Sequence, residues 1–265
     1  MENYLEVNRE SWDARVDPHV ESDFYGMEDF LQGKTSLKPI ELDLLGNIEG
    51  KRILHLQCHF GQDTISLSKM GAKVVGMDFS PKAIEQAINL AKKCETDTEF
   101  ICADVYSLPE ILDEKFDIVF SSYGTIGWLP DINKWAEVVS HFLKPNGEFI
   151  FAEFHPIVWM YDDDFTKVQY KYSTAEPIVE TLNGSYAAKD SNLELRSISW
   201  NHGLAEVINA LISKGIEIKD LQEYHWSPYA CFSSTQEVGE GKYIIPEFGD
   251  KIPLVYSIKG QKKPL

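Results

Sequence analysis

Ile53-Leu54-His55-Leu56-Gln57-Cys58-His59-Phe60-Gly61-Gln62-Asp63 joins a short apolar run to the start of an amphipathic one. The run reads as a strand, and Asp63 to Met70, followed by Gly71, reads as a helix with a glycine just past its end. Outward from there the alternation continues. Lys73-Val74-Val75-Gly76-Met77 is a second strand that ends at Asp78. Ser80-Pro81 opens the next helix, with Ser80 as N-cap and Pro81 at the first helical position. Its expected apolar face is Ala83, Ile84, Ala87, Ile88 and Ala91. Glu99 to Cys102 is a third strand running to Asp104, and Phe116 to Phe120 is a fourth. A helix from Asp131 to Leu143 stops at the Pro145-Asn146-Gly147 turn, and Glu148 to Glu153 is a fifth strand. Strands alternating with amphipathic stretches predict a parallel α/β sheet.

The flanks read differently. Residues 156–200 hold many aromatics and acids without a helical period, which suggests an inserted substrate-side segment. A helical pattern returns at Leu204 to Ser213 before Gly215, and two β-like runs follow, Ile216 to Tyr224 and Leu254 to Lys259. Residues 1–50 form an amphipathic preface of one or two helices.

Composition narrows the function classes. The 265 residues carry a formal net charge of −17, spread along the chain. Such a field repels phosphate backbones and anionic lipid heads, so neither nucleic acid nor membrane is expected as a partner. No apolar run reaches transmembrane length, and the first residues lack the basic and apolar regions of a secretory leader, so a cytoplasmic location is expected. The four cysteines form no CxxC pair and suit reduced thiols better than zinc or a disulfide framework. His155, His202 and His225 match no local metal spacing, and no metal is expected.

Chemistry should gather where strands end. In doubly wound sheets ligands bind at the carboxyl ends of the strands, near the point where strand order reverses. The Gln57 to Gly61 turn offers backbone N–H groups at a helix start, and Asp78 can accept both ribose hydroxyls of a nucleoside. A dinucleotide site asks for GxGxxG, whereas Gln57 and His59 stand where the earlier glycines belong, so pyrophosphate binding is disfavoured. Asp104 suits a turn or N-cap equally well. Tyr123, Trp128, Glu153, His155, His202 and His225 are candidate proton acceptors beyond the later strands. His155, just past the fifth strand, is the best placed of them, although a structural histidine before Pro156 reads as well. The many tyrosines and tryptophans suit either core packing or a pocket for a flat or cationic acceptor.

Taken in order, these segments resemble the class I S-adenosylmethionine-dependent methyltransferases, especially a bacterial branch with Leu-Gln-Cys in motif I. Residues 53 to 63 resemble motif I; Val75-Gly76-Met77-Asp78-Phe79-Ser80-Pro81 resembles motif II; Phe100-Ile101-Cys102-Ala103-Asp104-Val105 resembles motif III. Phe116 to Tyr123 and Leu143-Lys144-Pro145-Asn146-Gly147 resemble later core motifs. The resemblance is firm over roughly residues 50 to 155. It implies a Rossmann-like doubly wound sheet of about seven strands, mostly parallel with an antiparallel C-terminal strand. It also implies a lid over residues 1–50 and a methyltransferase domain over 51–265, with the insertion at about 156–200. The implied cofactor is S-adenosyl-L-methionine, held by Gln57, Cys58, His59, Gly61, Asp78, Phe79, Ser80, Asp104, Val105, Ser121 and Tyr25. The implied acceptor is a small molecule, with His155 the candidate catalytic residue. One departure stands out: His55 replaces the acid that helps hold the cofactor's amino group in the family, leaving Gln57, Cys58 and Ser121 as alternative acceptors. An NAD(P)-dependent oxidoreductase and a non-catalytic module binding S-adenosylmethionine or another metabolite are the competing readings.

Overall fold

A computed structural model of the chain describes residues 3–188 and 193–264. Before the sheet come helices α1 (Tyr4–Val20), α2 (Met27–Leu31) and α3 (Pro39–Leu45). The sheet region runs β1 (Arg52–Leu56), α4 (Gln62–Lys69), β2 (Lys73–Asp78), α5 (Pro81–Lys93), β3 (Glu99–Cys102) and α6 (Leu108–Ile111). It continues with β4 (Phe116–Ser122), α7 (Ile132–Phe142) and β5 (Leu143–Phe154). Then come β6 (Ile178–Asn183), β7 (Glu194–Ser199), α8 (Leu204–Ser213), β8 (Ile216–Tyr224), β9 (Gln236–Gly239), β10 (Lys242–Ile244) and β11 (Val255–Lys262).

Seven strands form one sheet in the order β3-β2-β1-β4-β5-β11-β8, and β11 alone runs against its neighbours. The expected seven-stranded, mostly parallel architecture is therefore present. The chain leaves β1 in one direction through β2 and β3, then returns to β4 and β5 on the other side. Strand order reverses between β1 and β4, which opens a crevice above their carboxyl ends. Both faces are covered, as a parallel sheet requires. On one face α7 presents Trp135, Val139 and Phe142 to Phe149 and Phe151; on the other, α3 and α4 present Ile40, Leu44 and Leu67 to Ile53 and Ile150. Each such buried side chain contributes on the order of 1.5–3 kcal/mol relative to exposure.

Several boundaries differ from the sequence reading. On α5 the buried stripe is Ala83, Ile84, Ala87, Leu90 and Ala91, while Ile88 lies at its margin and is exposed. β5 begins at Leu143, not Glu148: Phe116 pairs with Leu143 and Ile118 with Glu148, so the expected turn survives as a bulge inside the strand. Residues 1–50 hold three α-helices instead of one or two. The 156–200 segment contains an antiparallel β6–β7 hairpin, and β9–β10 is a second one. Both pair locally outside the main sheet, and their polar sequences carry no strong alternation. Helix α1 lies on β7 and α5. Asn8 clips it there, donating to the Ile198 carbonyl (2.8 Å) and accepting from the Ile198 N–H (2.9 Å), as a neighbouring strand would. Among the described residues no helix is long and apolar enough to cross a membrane.

Candidate active site

The β1–α4 turn sits in the crevice with an unusual backbone. Gln57 and His59 adopt left-handed φ values of 56° and 50°, and Gly61 has φ 83°. The turn thus keeps a glycine-type conformation at two positions that carry large side chains, at a cost on the order of 1–2 kcal/mol per residue. Gly61 is constrained further, because a Cβ there would lie 2.8 Å from the Phe100 ring. What Gln57 and His59 gain is contact: Gln57 Nε2 donates to the Thr125 carbonyl (2.8 Å), and His59 Nε2 lies 3.0 Å from His19 Nδ1 on α1. Burial lowers both histidines, His19 to about 3, so near neutrality an uncharged pair shares one proton between them.

Above the turn lies a cavity of about 860 Å3, walled by the strand tips, α1, the β6–β7 segment and residues 229–233. Aromatic rings dominate its wall, among them Trp12, Phe24, Tyr123, Trp128, Trp200 and Tyr229. Three polar atoms of lining residues are buried without a hydrogen-bond partner: Trp12 Nε1, Gln57 Oε1 and the Tyr256 hydroxyl. Buried polar groups are normally satisfied, so these mark a surface suited to a polar ligand.

Asp78 stands at the tip of β2 and lines the cavity. One carboxylate oxygen accepts from the His59 N–H (2.9 Å) and the other from the Ser80 N–H (3.0 Å), which leaves lone pairs on both. Burial pushes its carboxyl up to about 6 despite those two donors. At the opposite end of the turn His55 is buried and bonded to Thr64 Oγ1 (2.9 Å), and burial lowers it to about 3. It therefore offers neither charge nor access. Asp63, in the first turn of α4, does line the cavity; it accepts from Ser36 Oγ at 2.6 Å, with Lys38 close enough to favour its charged form. Burial nevertheless raises its carboxyl.

The sequence-derived site residues separate into two groups. Gln57, Cys58, His59, Gly61, Asp78, Phe79 and Tyr25 all line the cavity. Tyr25 packs on Phe60, and its hydroxyl meets that of Tyr186 at 2.5 Å. Ser80, Asp104, Val105, Ser121 and His155 do not line it. Ser80 is fully buried as the N-cap of α5, accepting from Ala83 N and donating to Asp13. Asp104 caps its own turn through the Tyr106 N–H (2.9 Å), and with Val105 it borders a separate small hollow of about 30 Å3 that α1 roofs with Tyr4 and Asn8. Gln57 and Phe79 reach both spaces. Ser121 donates inward to Thr125 Oγ1 (3.2 Å). His155 points away: its Nε2 meets Glu223 at 2.9 Å and its Nδ1 accepts from the Ile157 N–H, so the last expectation for a base at this position gives way to a structural histidine.

Of the other proton-acceptor candidates, Glu153 lines the cavity, but the N–H groups of Gly124, Thr125, Ile126 and Phe154 occupy its carboxylate. Its work is to fold the β4 turn. Tyr123 donates to Glu41 (2.8 Å), a buried acid raised to about 8 by burial and by Asp63. His202 lines the cavity and bonds to the Leu129 carbonyl (2.8 Å), whereas His225 is exposed. The described residues contain no group of three His, Cys, Asp or Glu side chains placed to hold a metal.

Sequence reasoning missed Trp12, Arg15, His19, Lys38 and Asp63. For α1 a signal existed: Asn8, Ser11, Arg15 and His19 recur at helical spacing, a polar stripe that the helix buries. Apolar periodicity does not register such a stripe.

Comparison with known proteins agrees with this geometry. Residues 53–147 match the family model described as a methyltransferase domain. An uncharacterized protein of Haemophilus influenzae is 31% identical over 149 residues, which are 51% of this chain and 57% of that protein. An uncharacterized methyltransferase of Synechocystis is 28% identical, over 69% of this chain and 86% of that protein. The match thus spans little more than half the length of the Haemophilus relative. Among solved structures, an S-adenosylmethionine-dependent methyltransferase of Mesorhizobium loti superposes with a TM-score of 0.57 at 20% identity, covering 88% of this chain and all of that one (100%). At that identity the likeness concerns the fold. The chain carries a methyltransferase domain on a fold that S-adenosylmethionine-dependent methyltransferases share.

Proposed function

We propose that this protein is an S-adenosylmethionine-dependent methyltransferase whose acceptor is a small molecule bound in the aromatic cavity. The observation that carries this reading is the set of orphaned polar atoms, Trp12 Nε1, Gln57 Oε1 and the Tyr256 hydroxyl, around one cavity at the strand-order switch, with Asp78 at its edge. The residues fit the cofactor. Asp78 has free lone pairs for a ribose diol, Phe79 offers a ring, and Gln57 Oε1 lacks a donor. Asp63 replaces His55 as the acid facing the amino-acid end.

When bound, the cofactor supplies a methyl group on a sulfonium, already a good leaving group. The chain then has mainly to orient and to exclude water. The aromatic wall and α1 do both. Glu153 fixes the 124–126 turn, and Glu41 fixes the Tyr123 hydroxyl at the cavity wall. Acidic Asp162, Asp163 and Glu180 lie on the same cavity, and the net charge of −17 favours acceptors other than nucleic acids.

Calorimetry with S-adenosylhomocysteine and with NAD tests the reading. S-adenosylhomocysteine should bind, and Asp78→Ala should weaken it by about 1–3 kcal/mol, the scale of hydrogen bonds to a charged group. Because the Asp78 carboxyl sits near 6 and the charged form accepts both hydroxyls, affinity should be full above pH 6 and fall as pH drops below it. Binding of NAD with none of the adenosyl compound would instead support an oxidoreductase. Cofactor binding without transfer of labelled methyl to any pool of small molecules would support a binding module.

A further inference from the structure

The least compensated charge in the described structure is Arg15. It lies on α1, is only 4% exposed and lines the cavity. Its Nη1 donates to Ser11 Oγ (2.5 Å), and the guanidinium lies against the Trp12 and Trp128 rings, 5.1 and 5.9 Å from their centroids. Among the described residues no carboxylate pairs with it. The chain holds 42 Asp and Glu against 25 Lys and Arg, so an unpaired buried arginine is not for want of acids. The acids on its own helix are engaged elsewhere: Asp13 with Ser80, and Asp17 with Lys82 at 2.7 Å. Its other neighbours are uncharged. His19 and His59 are held neutral, partly by the guanidinium itself, and Tyr25 and Tyr186 are kept protonated by burial.

A buried cation is normally paired or hydrogen-bonded to an anion. A guanidinium stacked on aromatic faces keeps its N–H fork free for an oxyanion. The neighbouring Trp12 Nε1, buried without a partner, is an independent donor in the same wall. A cavity that presents one fixed cation and an unpaired N–H, with no acid beside them, is built for a negative ligand group.

We propose that Arg15 and Trp12 form an oxyanion receptor in the cavity, taking a carboxylate or a like group of a bound small molecule. The inference rests on the methyltransferase reading for what occupies the cavity. Two molecules can bring such a group: the cofactor, through its amino-acid carboxylate, or the acceptor.

The test uses the whole chain and the variants Arg15→Gln and Arg15→Lys, each first checked for a native melting transition. S-adenosylhomocysteine and 5′-methylthioadenosine, which lacks the amino-acid carboxylate, are titrated into each. Benzoate and inorganic phosphate are then titrated into protein saturated with S-adenosylhomocysteine, followed by tryptophan fluorescence. Loss of tenfold or more for S-adenosylhomocysteine in Arg15→Gln, with methylthioadenosine unchanged within twofold, assigns the carboxylate to the cofactor. Unchanged adenosyl binding, with benzoate or phosphate binding seen in the wild type and lost in the variant, assigns it to the acceptor. Arg15→Lys, which keeps the charge without the fork, should fall between wild type and Arg15→Gln in either case. Equal loss of both adenosyl compounds, or no dependence of any probe on Arg15, overturns the proposal. Failure of the wild type to bind either adenosyl compound counts against the methyltransferase reading; the benzoate and phosphate titrations, run then on the protein alone, still judge Arg15.

Discussion

Helices α1 and α5 lie against one another yet bury opposite kinds of surface. α5 turns Ala83, Ile84, Ala87, Leu90 and Ala91 inward, an apolar stripe that serves the core. α1 turns Asn8, Ser11, Arg15, Val16 and His19 inward, and most of that stripe is polar. The two follow the same geometry of 3.6 residues per turn, so the difference lies in what each faces. α5 faces packed strands. α1 faces β7 with Asn8 and the cavity with Arg15, so its inward groups hydrogen-bond to a hairpin or await a ligand. A helix that buries polar groups spends stability on specificity, and such a surface belongs to a binding site more than to a core.

Three measurements break or sharpen that contrast. The largest effect is expected on α5: Ile84→Ala should cost about 2–5 kcal/mol of unfolding free energy in denaturant titration, as a core truncation does. Its affinity for S-adenosylhomocysteine should stay as in the wild type, and a matching loss of affinity would make α5 part of the site. Next comes Asn8→Ala, which leaves the N–H and carbonyl of Ile198 without their side-chain partner and should cost about 1–3 kcal/mol. Hydrogen exchange should place that loss in α1 and the β6–β7 hairpin, with the seven-stranded sheet still protected; uniform exposure would show that the cap and sheet unfold together. The smallest effect is expected for Arg15→Met. Replacing a buried, unpaired cation by an apolar chain removes both a desolvation cost and ring contacts, so stability should change by about 1 kcal/mol or less. A loss above about 3 kcal/mol would mark Arg15 as a structural residue, and the contrast between the helices would weaken.

The central sheet was legible from residues 50 to 155 because period and punctuation agree there: short apolar runs, Ser80-Pro81 at a helix start, and acids at strand ends. The cavity-facing positions of Gln57, Cys58, His59, Gly61 and Asp78 followed from the same order, since a strand-to-helix turn is a local feature. His155, Ser121 and Asp104 misled for one shared reason. Each stands near a strand end, but sequence position does not say which way a side chain points or what already holds it. Glu223 holds His155 from β8, a residue 68 positions later in the chain, by the arithmetic 223 − 155. The β6–β7 hairpin escaped notice because its two strands are polar and joined by a long connection, so neither alternation nor a tight turn announces it.

The sequence by itself determined the order of strands and helices, the strand-end placement of Asp78 and the absence of a dinucleotide turn, because these follow from local period and backbone sterics. Only the tertiary structure decided the rest. It brought α1 over the crevice, left Arg15 without a carboxylate, exchanged His55 for Asp63 at the cavity wall and used up Glu153 in a turn. The physical reason is that hydrogen-bond satisfaction and charge pairing depend on neighbours far apart in the chain, and no period along the sequence encodes them.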